Sequence, residues 1–341
     1  MYSFTNDYSE SCHPAILKAL SEASGQYTGY GEDEICISAA DRIRRECGVA
    51  DAAVHFVAGG TLTNMLAISA FLRPHQAAIA ADTGHINVHE TGAIEATGHK
   101  VLAAQTPDGK LTPELIQKVL DVHGNDEHMV QPKLVYISDS TEVGTIYKKE
   151  ELTAIRDLCS ANGLYLFLDG ARLGSALTCA ENDMTMADIA ALTDCFYVGG
   201  TKNGAMLGEA LVITKPELKT DFRHLYKQRG AMMAKGWIMG VQFDTLFADG
   251  LFYKLAKHEN EVAAYIAKEL KALGVRFLAE SPTNQIFPIF KKSVVKKLLQ
   301  QFQFAVWAPV SAEEVAIRIV TSWATPMEEA QAFVAAVRAA L

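Results

Sequence analysis

Short apolar runs punctuate the chain at Ala53–Val57, Ala77–Ala81, Leu134–Ser138, Tyr165–Leu168, Cys195–Val198 and Ala210–Ile213. Each is apolar at successive positions and too short for a helix, the pattern of a strand covered on both faces. Between them lie stretches with helical spacing, Leu62–Phe71, Pro113–Val122 and Lys149–Asn162 among them. That alternation predicts a mostly parallel α/β sheet with helices on both faces. After roughly Gly240 the pattern changes to long helical stretches, Asn260–Leu273 and Met327–Ala340, around short strands near Gln285–Phe290 and Ala316–Val320. The expected organisation is therefore a large α/β domain over residues 1–240 and a smaller C-terminal α+β domain over 241–341. No repeat or low-complexity segment interrupts either.

Composition narrows the class without choosing the function. With 341 residues, 49% of them hydrophobic, the chain can bury a large core. No apolar run spans a bilayer, and the start, MYSFTNDYSE, has no basic region followed by an apolar one, so a cytoplasmic location is expected. A net charge of −9, with only local basic clusters at Lys291-Lys292 and Lys296-Lys297, argues against nucleic acid or an anionic membrane as partner. The six cysteines form no C-x-x-C pair and read as reduced, buried fillers.

The chemistry concentrates where apolar runs break. LYLFLDGAR, at Leu164–Arg172, delivers Asp169 and Arg172 at the carboxyl end of a buried strand, and CFYVGGTKNG, at Cys195–Gly204, delivers Lys202 in a glycine-flanked loop. Open α/β sheets bind ligands at that end. A lysine able to form a Schiff base and an acid able to keep a pyridine nitrogen protonated are what pyridoxal 5'-phosphate chemistry requires. A seat for its phosphate follows the run AVHFV, where Gly60 and Thr61 open the next helix and offer unpaired N–H groups. Lys202 could instead be a solvated loop lysine, and Asp169 a helix cap or a structural partner of Arg172. A carboxylate at the end of a buried strand, however, is costly without a cation. His85 and His89 have helical i,i+4 spacing, but H-I-N-V-H lacks the glutamate of H-E-x-x-H, and no metal is expected.

FTNDYSESCHP, YGEDE, AGGTLTN, DTGHINVHETGA, STEVGTIY, FLDGAR, GGTKNG and RIVTSWAT, in that order, give the chain its resemblance to the low-specificity L-threonine aldolases. These belong to the beta-eliminating lyase and threonine aldolase family, within the aminotransferase-like (fold type I) pyridoxal phosphate enzymes. The resemblance implies a lyase that cleaves L-threonine, L-allo-threonine or related β-hydroxy-α-amino acids to glycine and an aldehyde. It implies Lys202 as the Schiff-base lysine, His85 stacked on the cofactor ring, and Arg318 as a clamp for the substrate carboxylate, with Arg172 assisting near the carboxylate and the cofactor. The first dozen residues would return to the active site, with Thr5 near substrate where the family often has a Ser-Asp pair. It further implies a homodimer or homotetramer with shared sites, Lys227 and Lys235 matching the region that reaches a neighbour's phosphate.

One departure matters for mechanism. Many relatives carry E-N-T-H-N where this chain has Asp139-Ser140-Thr141-Glu142-Val143, which resembles instead a T-E-V-G-T branch that includes phenylserine aldolase-like enzymes. Glu142, His85 or a water is then the base for the β-hydroxyl, and Glu142 could equally be a structural partner. Another pyridoxal phosphate reaction, β-elimination or transamination, would retain the same lysine and acid. A non-catalytic α/β ligand-binding protein would need neither.

Overall fold

The computed structural model describes residues 1–124 and 126–341. In chain order its strands are β1 (Tyr2–Ser3), β2 (Ala53–Val57), β3 (Gln76–Ala81), β4 (Val101–Ala104), β5 (Gln131–Ser138), β6 (Tyr165–Asp169), β7 (Cys195–Gly199), β8 (Glu209–Ile213), β9 (Gln285–Ile286), β10 (Ile289–Lys291), β11 (Phe302–Gln303), β12 (Ala305–Pro309) and β13 (Glu314–Val320). Seven of them form the central sheet in the order β2-β8-β7-β6-β5-β3-β4. All six strands expected from the apolar runs are present within a few residues. The edge strand β4 escaped the sequence reading: VLAA is short, and only β3 pairs with it.

The sheet's two faces follow from the twofold period of a strand. Ala77, Ile79, Val135, Ile137, Leu166, Leu168, Phe196 and Val198 join one core, while Ala78, Ala80, Leu134, Tyr136, Phe167, Cys195 and Tyr197 join another. Apolar residues on both parities are what continuous runs require, and helices cover both sides. The helix Gly60–Phe71 lies over the second face, contributing Leu66, Ala67, Ile68 and Phe71 to its core. Asp169 shares the parity of Phe167, so its carboxylate emerges on that face at the strand's end.

Pairing is parallel except at β8, which runs against both β7 and β2. The link from Gly199 to Glu209 is too short for the helical crossover that a parallel neighbour needs, so the chain turns back as a hairpin. Lys202 lies in that hairpin turn. Two glycines let β6 and β7 converge there. A Cβ on Gly170 would stand 1.9 Å from the Tyr197 carbonyl oxygen, and one on Gly199 2.4 Å from that of Ala171. The Gly199 N–H donates to Gly170 O across the gap at 2.9 Å.

In the C-terminal region β10, β13, β12 and β9 form a small antiparallel sheet backed by the helix Met327–Ala340. Its core takes Val262, Ile266 and Leu270 from the helix Leu251–Ala272, and also Phe4 from the amino terminus. The helix starts earlier than its expected bound at Asn260, because buried Glu259 and Asn260 interrupt its apolar stripe. Asn260 finds its partners in tertiary structure, donating to Ser175 O at 2.8 Å. β1 pairs with β11, and the chain then passes from Phe4 to Asp7 towards the end of the large sheet. Among the described residues no helix is long and apolar enough to cross a membrane, and all six cysteines are free and buried.

Candidate active site

At the carboxyl end of the central sheet two adjoining chambers of about 400 and 320 Å³ share Tyr8, His85, His89, Glu142, Arg172 and Lys202. The larger one is also lined by Gly60, Thr61, Asp169 and Glu209, the smaller by Gln285, Trp307 and Arg318. β5, β6 and β7 are neighbours and end here, while β13 of the small sheet carries Arg318 and the amino-terminal segment after Phe4 brings Tyr8 back to the site.

Asp169 is 3% exposed and makes no salt bridge among the described residues. Its donors are neutral: Tyr136 Oη at 2.5 Å and Asn64 Nδ2 at 3.0 Å reach Oδ2, while the Ala171 N–H at 3.0 Å and Tyr197 Oη reach Oδ1. A buried carboxylate held by four neutral donors at a cavity wall has room for a cation, and a pyridinium N–H meets that need. Across the cavity Lys202 Nζ has no acid within salt-bridge distance among the described residues. Desolvation, and then Arg172, hold its ammonium below the usual lysine range, which favours the free amine. The helix Gly60–Phe71 opens without a side-chain cap beneath the same chamber, leaving its first N–H groups for an anion. This set fits pyridoxal phosphate: an acid for the ring nitrogen, an amine for the aldehyde, and a helix end for the phosphate.

His85 follows β3, whose apolar run the sequence marks as a strand. Its Nδ1 is 2.7 Å from Glu90 Oε1, and its backbone N–H donates to Glu142 Oε1 at 2.9 Å. Ser138, opposite Asp169 in the β5–β6 register, donates to the same Glu142 oxygen at 2.7 Å. Burial pushes the Glu142 carboxyl above the usual range, against the pull of Ser138. Glu142 therefore sits in the cavity wall as a desolvated carboxylate held by two donors.

Arg172 is anchored by an ion pair that the sequence reading did not assign: Nε and Nη2 donate to the two oxygens of Asp7 at 2.7 and 3.1 Å, and Asn284 Nδ2 adds a third bond at 2.9 Å. Thr5 meets the site through its carbonyl, which accepts from Arg318 Nη2 at 3.3 Å; its hydroxyl accepts from Ser3 instead. Arg318 lies 5.1 Å from the Trp307 ring centre, has a buried Nε without a partner and makes no salt bridge among the described residues, which leaves it open to a carboxylate. Lys227 and Lys235 line neither chamber within one chain, and Lys227 Nζ stands 4.3 Å over the Tyr30 ring.

Asn64, Glu90, Tyr136, Tyr197 and Glu209 were missed by the sequence reading. For Glu209 a signal existed, a lone carboxylate opening the apolar run EALVI. Its Oε2 accepts the Gly200 N–H at 2.9 Å, bracing the turn that carries Lys202, and burial pushes its carboxyl up to about 7.

The Asp7–Arg172 pair yields a stability prediction. Asp7 is 1% exposed, so Asp7→Ala leaves a buried guanidinium unpaired and is expected to cost about 3–5 kcal/mol in chemical denaturation. Desolvation raises the Asp7 carboxyl, but Arg172, Lys202 and the Asn284 hydrogen bond together outweigh it and hold the group below 3.8. The pair's contribution is thus complete above the unfolded carboxyl value and lost as pH falls through the lower folded one. Asp7→Ala should accordingly show less acid-dependent loss of stability than wild type, and an unchanged denaturation midpoint would contradict the pairing.

The beta-eliminating lyase family matches residues 7–293. The low specificity L-threonine aldolase of Pseudomonas aeruginosa is 31% identical over 95% of this chain and 93% of its own. A threonine aldolase structure from Leishmania major superposes with a TM-score of 0.98 at 50% identity, covering 99% of both chains. A Thermus thermophilus aspartate aminotransferase structure, with a TM-score of 0.73 and 15% identity over 100% of this chain and 92% of its own, shares the fold.

Proposed function

Since the chain belongs to the beta-eliminating lyase family, we propose that it is a pyridoxal-phosphate-dependent aldehyde-lyase cleaving L-threonine, L-allo-threonine or a related β-hydroxy-α-amino acid to glycine and an aldehyde. The observation that carries this reading is the placing, across one cavity, of a buried carboxylate and a desolvated lysine, neither of which makes a salt bridge among the described residues.

When bound, pyridoxal phosphate supplies an electrophilic carbon for an amine and a protonated ring that accepts the electron pair released from the substrate. Lys202 would hold the cofactor through its amine. Asp169 holds the proton on the ring nitrogen, with Tyr136, Tyr197 and Asn64 fixing the carboxylate in place. The N–H groups of Gly60 and Thr61 receive the phosphate. Arg318 binds the substrate carboxylate from the smaller chamber, with Arg172 beside it, its orientation set by Asp7. Glu142 takes the β-hydroxyl proton: desolvation makes it a stronger base than a surface glutamate, and Ser138 and the His85 N–H aim it. Two observations prefer it to His85, whose Nδ1 is engaged by Glu90 and whose imidazole is held above its usual pKa. The same reading expects a homodimer or homotetramer, with Lys227 and Lys235 turned to a neighbour's phosphate.

The test is product analysis with L-threonine, L-allo-threonine, phenylserine and serine side by side. Equimolar glycine and aldehyde are expected, and α-keto acid with ammonia would mark an eliminating lyase instead. Glu142→Gln, which retains size and hydrogen bonding but removes basicity, should lower kcat roughly 10²–10⁴-fold with cofactor content unchanged. A wild-type kcat across the pH range would exclude the carboxylate as base.

A further inference from the structure

The helix that receives the phosphate at Gly60 carries another polar side chain to the floor of the site one turn later. Asn64 is fully buried, and its Nδ2 donates to two acids, Asp169 Oδ2 at 3.0 Å and Glu90 Oε1 at 2.7 Å. Glu90, whose side chain has no exposure, also meets His85 Nδ1 through that oxygen at 2.7 Å. A carboxamide nitrogen only donates, so Oε1 is acting as an acceptor, and Nδ1–H of His85 is the second donor to it. Nε2 of the ring is left for the cavity that His85 lines. An unbroken chain, His85–Glu90–Asn64–Asp169, therefore links the imidazole to the acid assigned to the ring nitrogen.

The chain has unsatisfied ends. Glu90 Oε2 and Asn64 Oδ1 are buried without hydrogen-bond partners. A carboxyl group used only for packing would be better replaced by a neutral side chain of similar shape, because burying an acid is costly unless a cation answers it. The cation within reach of Glu90 is His85 in its protonated form.

We propose that Glu90 is a positioning residue which holds His85 as an imidazolium presenting Nε2–H to the cavity, while Asn64 ties that charge to Asp169. The proposal rests on the pyridoxal phosphate reading for what the imidazolium faces. His85 is then a proton donor in the site, complementary to Glu142 as proton acceptor. The charges around the ring agree with that state. Burial and Lys202 oppose the cation, but the Glu90 hydrogen bond with the charges of Asp169 and Glu90 outweighs them, and the balance lies above the usual histidine range; Glu142 accepts from the His85 backbone N–H, and the neighbouring His89 ring, at 5.6 Å, is itself held below that range by burial and by His85.

The test is a pH titration of full-length protein labelled at histidine Cε1, without added cofactor, with the His85 resonance identified by its loss in His85→Gln. Wild-type His85 should titrate above 6.5. In Glu90→Gln its midpoint should fall by about one unit or more, and Glu90→Asp, which retains the charge, should restore most of the shift. With cofactor bound, the alkaline limb of kcat should move to lower pH in Glu90→Gln and return in Glu90→Asp, a pattern that a packing role would not produce. A wild-type midpoint below 6.5 overturns the proposal without any variant, as does an unchanged midpoint in folded Glu90→Gln. Because the titration is read without cofactor, its failure leaves aldol products and a Lys202 adduct untouched, whereas their absence would remove the aldolase reading and not the titration.

Discussion

Lys202→Ala is expected to eliminate covalent attachment of the cofactor and to reduce turnover to background while leaving the fold intact. Lys202 lies in the hairpin turn between β7 and β8, whose geometry depends on Gly199, Gly200 and the brace from Glu209 rather than on the lysine side chain. Nothing structural is therefore lost with the amine. Its chemical value comes from desolvation, which with the Arg172 guanidinium lowers the ammonium pKa against the opposing pull of Asp7, Asp169 and Glu209 and so favours the free, nucleophilic amine. Borohydride reduction of wild-type holoenzyme followed by peptide mass spectrometry should find the phosphopyridoxyl adduct on Lys202. An adduct on Lys227 or Lys235 would refute the assignment, and retained turnover in Lys202→Ala would refute the mechanism.

Asp169→Ala is expected to produce the second largest loss. It removes the acceptor of four hydrogen bonds at once, from Tyr136, Tyr197, Asn64 and Ala171, and with it the counter-charge proposed for the ring nitrogen. Breaking a buried charge pair by removing one partner costs about 3–5 kcal/mol, or roughly 10²–10⁴-fold, and that loss should be divided between cofactor affinity and kcat. Asp169→Asn separates the two contributions. It retains a hydrogen-bonding side chain in the same space, so one tyrosine keeps an acceptor while the other meets an amide N–H, and it cannot stabilise a pyridinium. If the carboxylate serves the electron sink, Asn should be nearly as slow as Ala although it binds cofactor better. Near-normal turnover in either variant would exclude that role.

Much of the site was legible because its residues mark the ends of strands. FLDGAR and CFYVGGTKNG each combine a buried run, a polar residue at the carboxyl end and glycines, and each component has a local physical cause. Apolar positions on both parities are needed between two helical layers, and Gly170 and Gly199 are needed where two strand ends close to hydrogen-bond distance. Gly60 and Thr61 were proposed on the same grounds, following a strand, whereas the role of His85 was implied by the family resemblance.

Partnerships between distant segments were not legible in this way. Asp7 and Arg172 are 165 residues apart and Asn64 and Asp169 are 105 apart. An acid in a loop reads the same whether it caps a helix, pairs with an arginine or faces solvent. Tyr136 and Tyr197 looked like apolar filler, since the position of a phenolic hydroxyl relative to Asp169 follows only once β5, β6 and β7 are known to be neighbours. The antiparallel course of β8 was hidden for a related reason: an apolar run specifies a buried strand and carries no sign of its direction.

The sequence by itself determined which segments are buried strands, which side chains stand at their carboxyl ends and hence the class of chemistry, because hydrophobic period and glycine conformation act over a few residues. Tertiary structure alone decided the strand order that gathers those ends, the anchoring of Arg172 by Asp7 and the link from His85 through Glu90 and Asn64 to Asp169. These depend on burial and distance between remote segments, and a carboxylate's charge, partner and role are set by those two quantities.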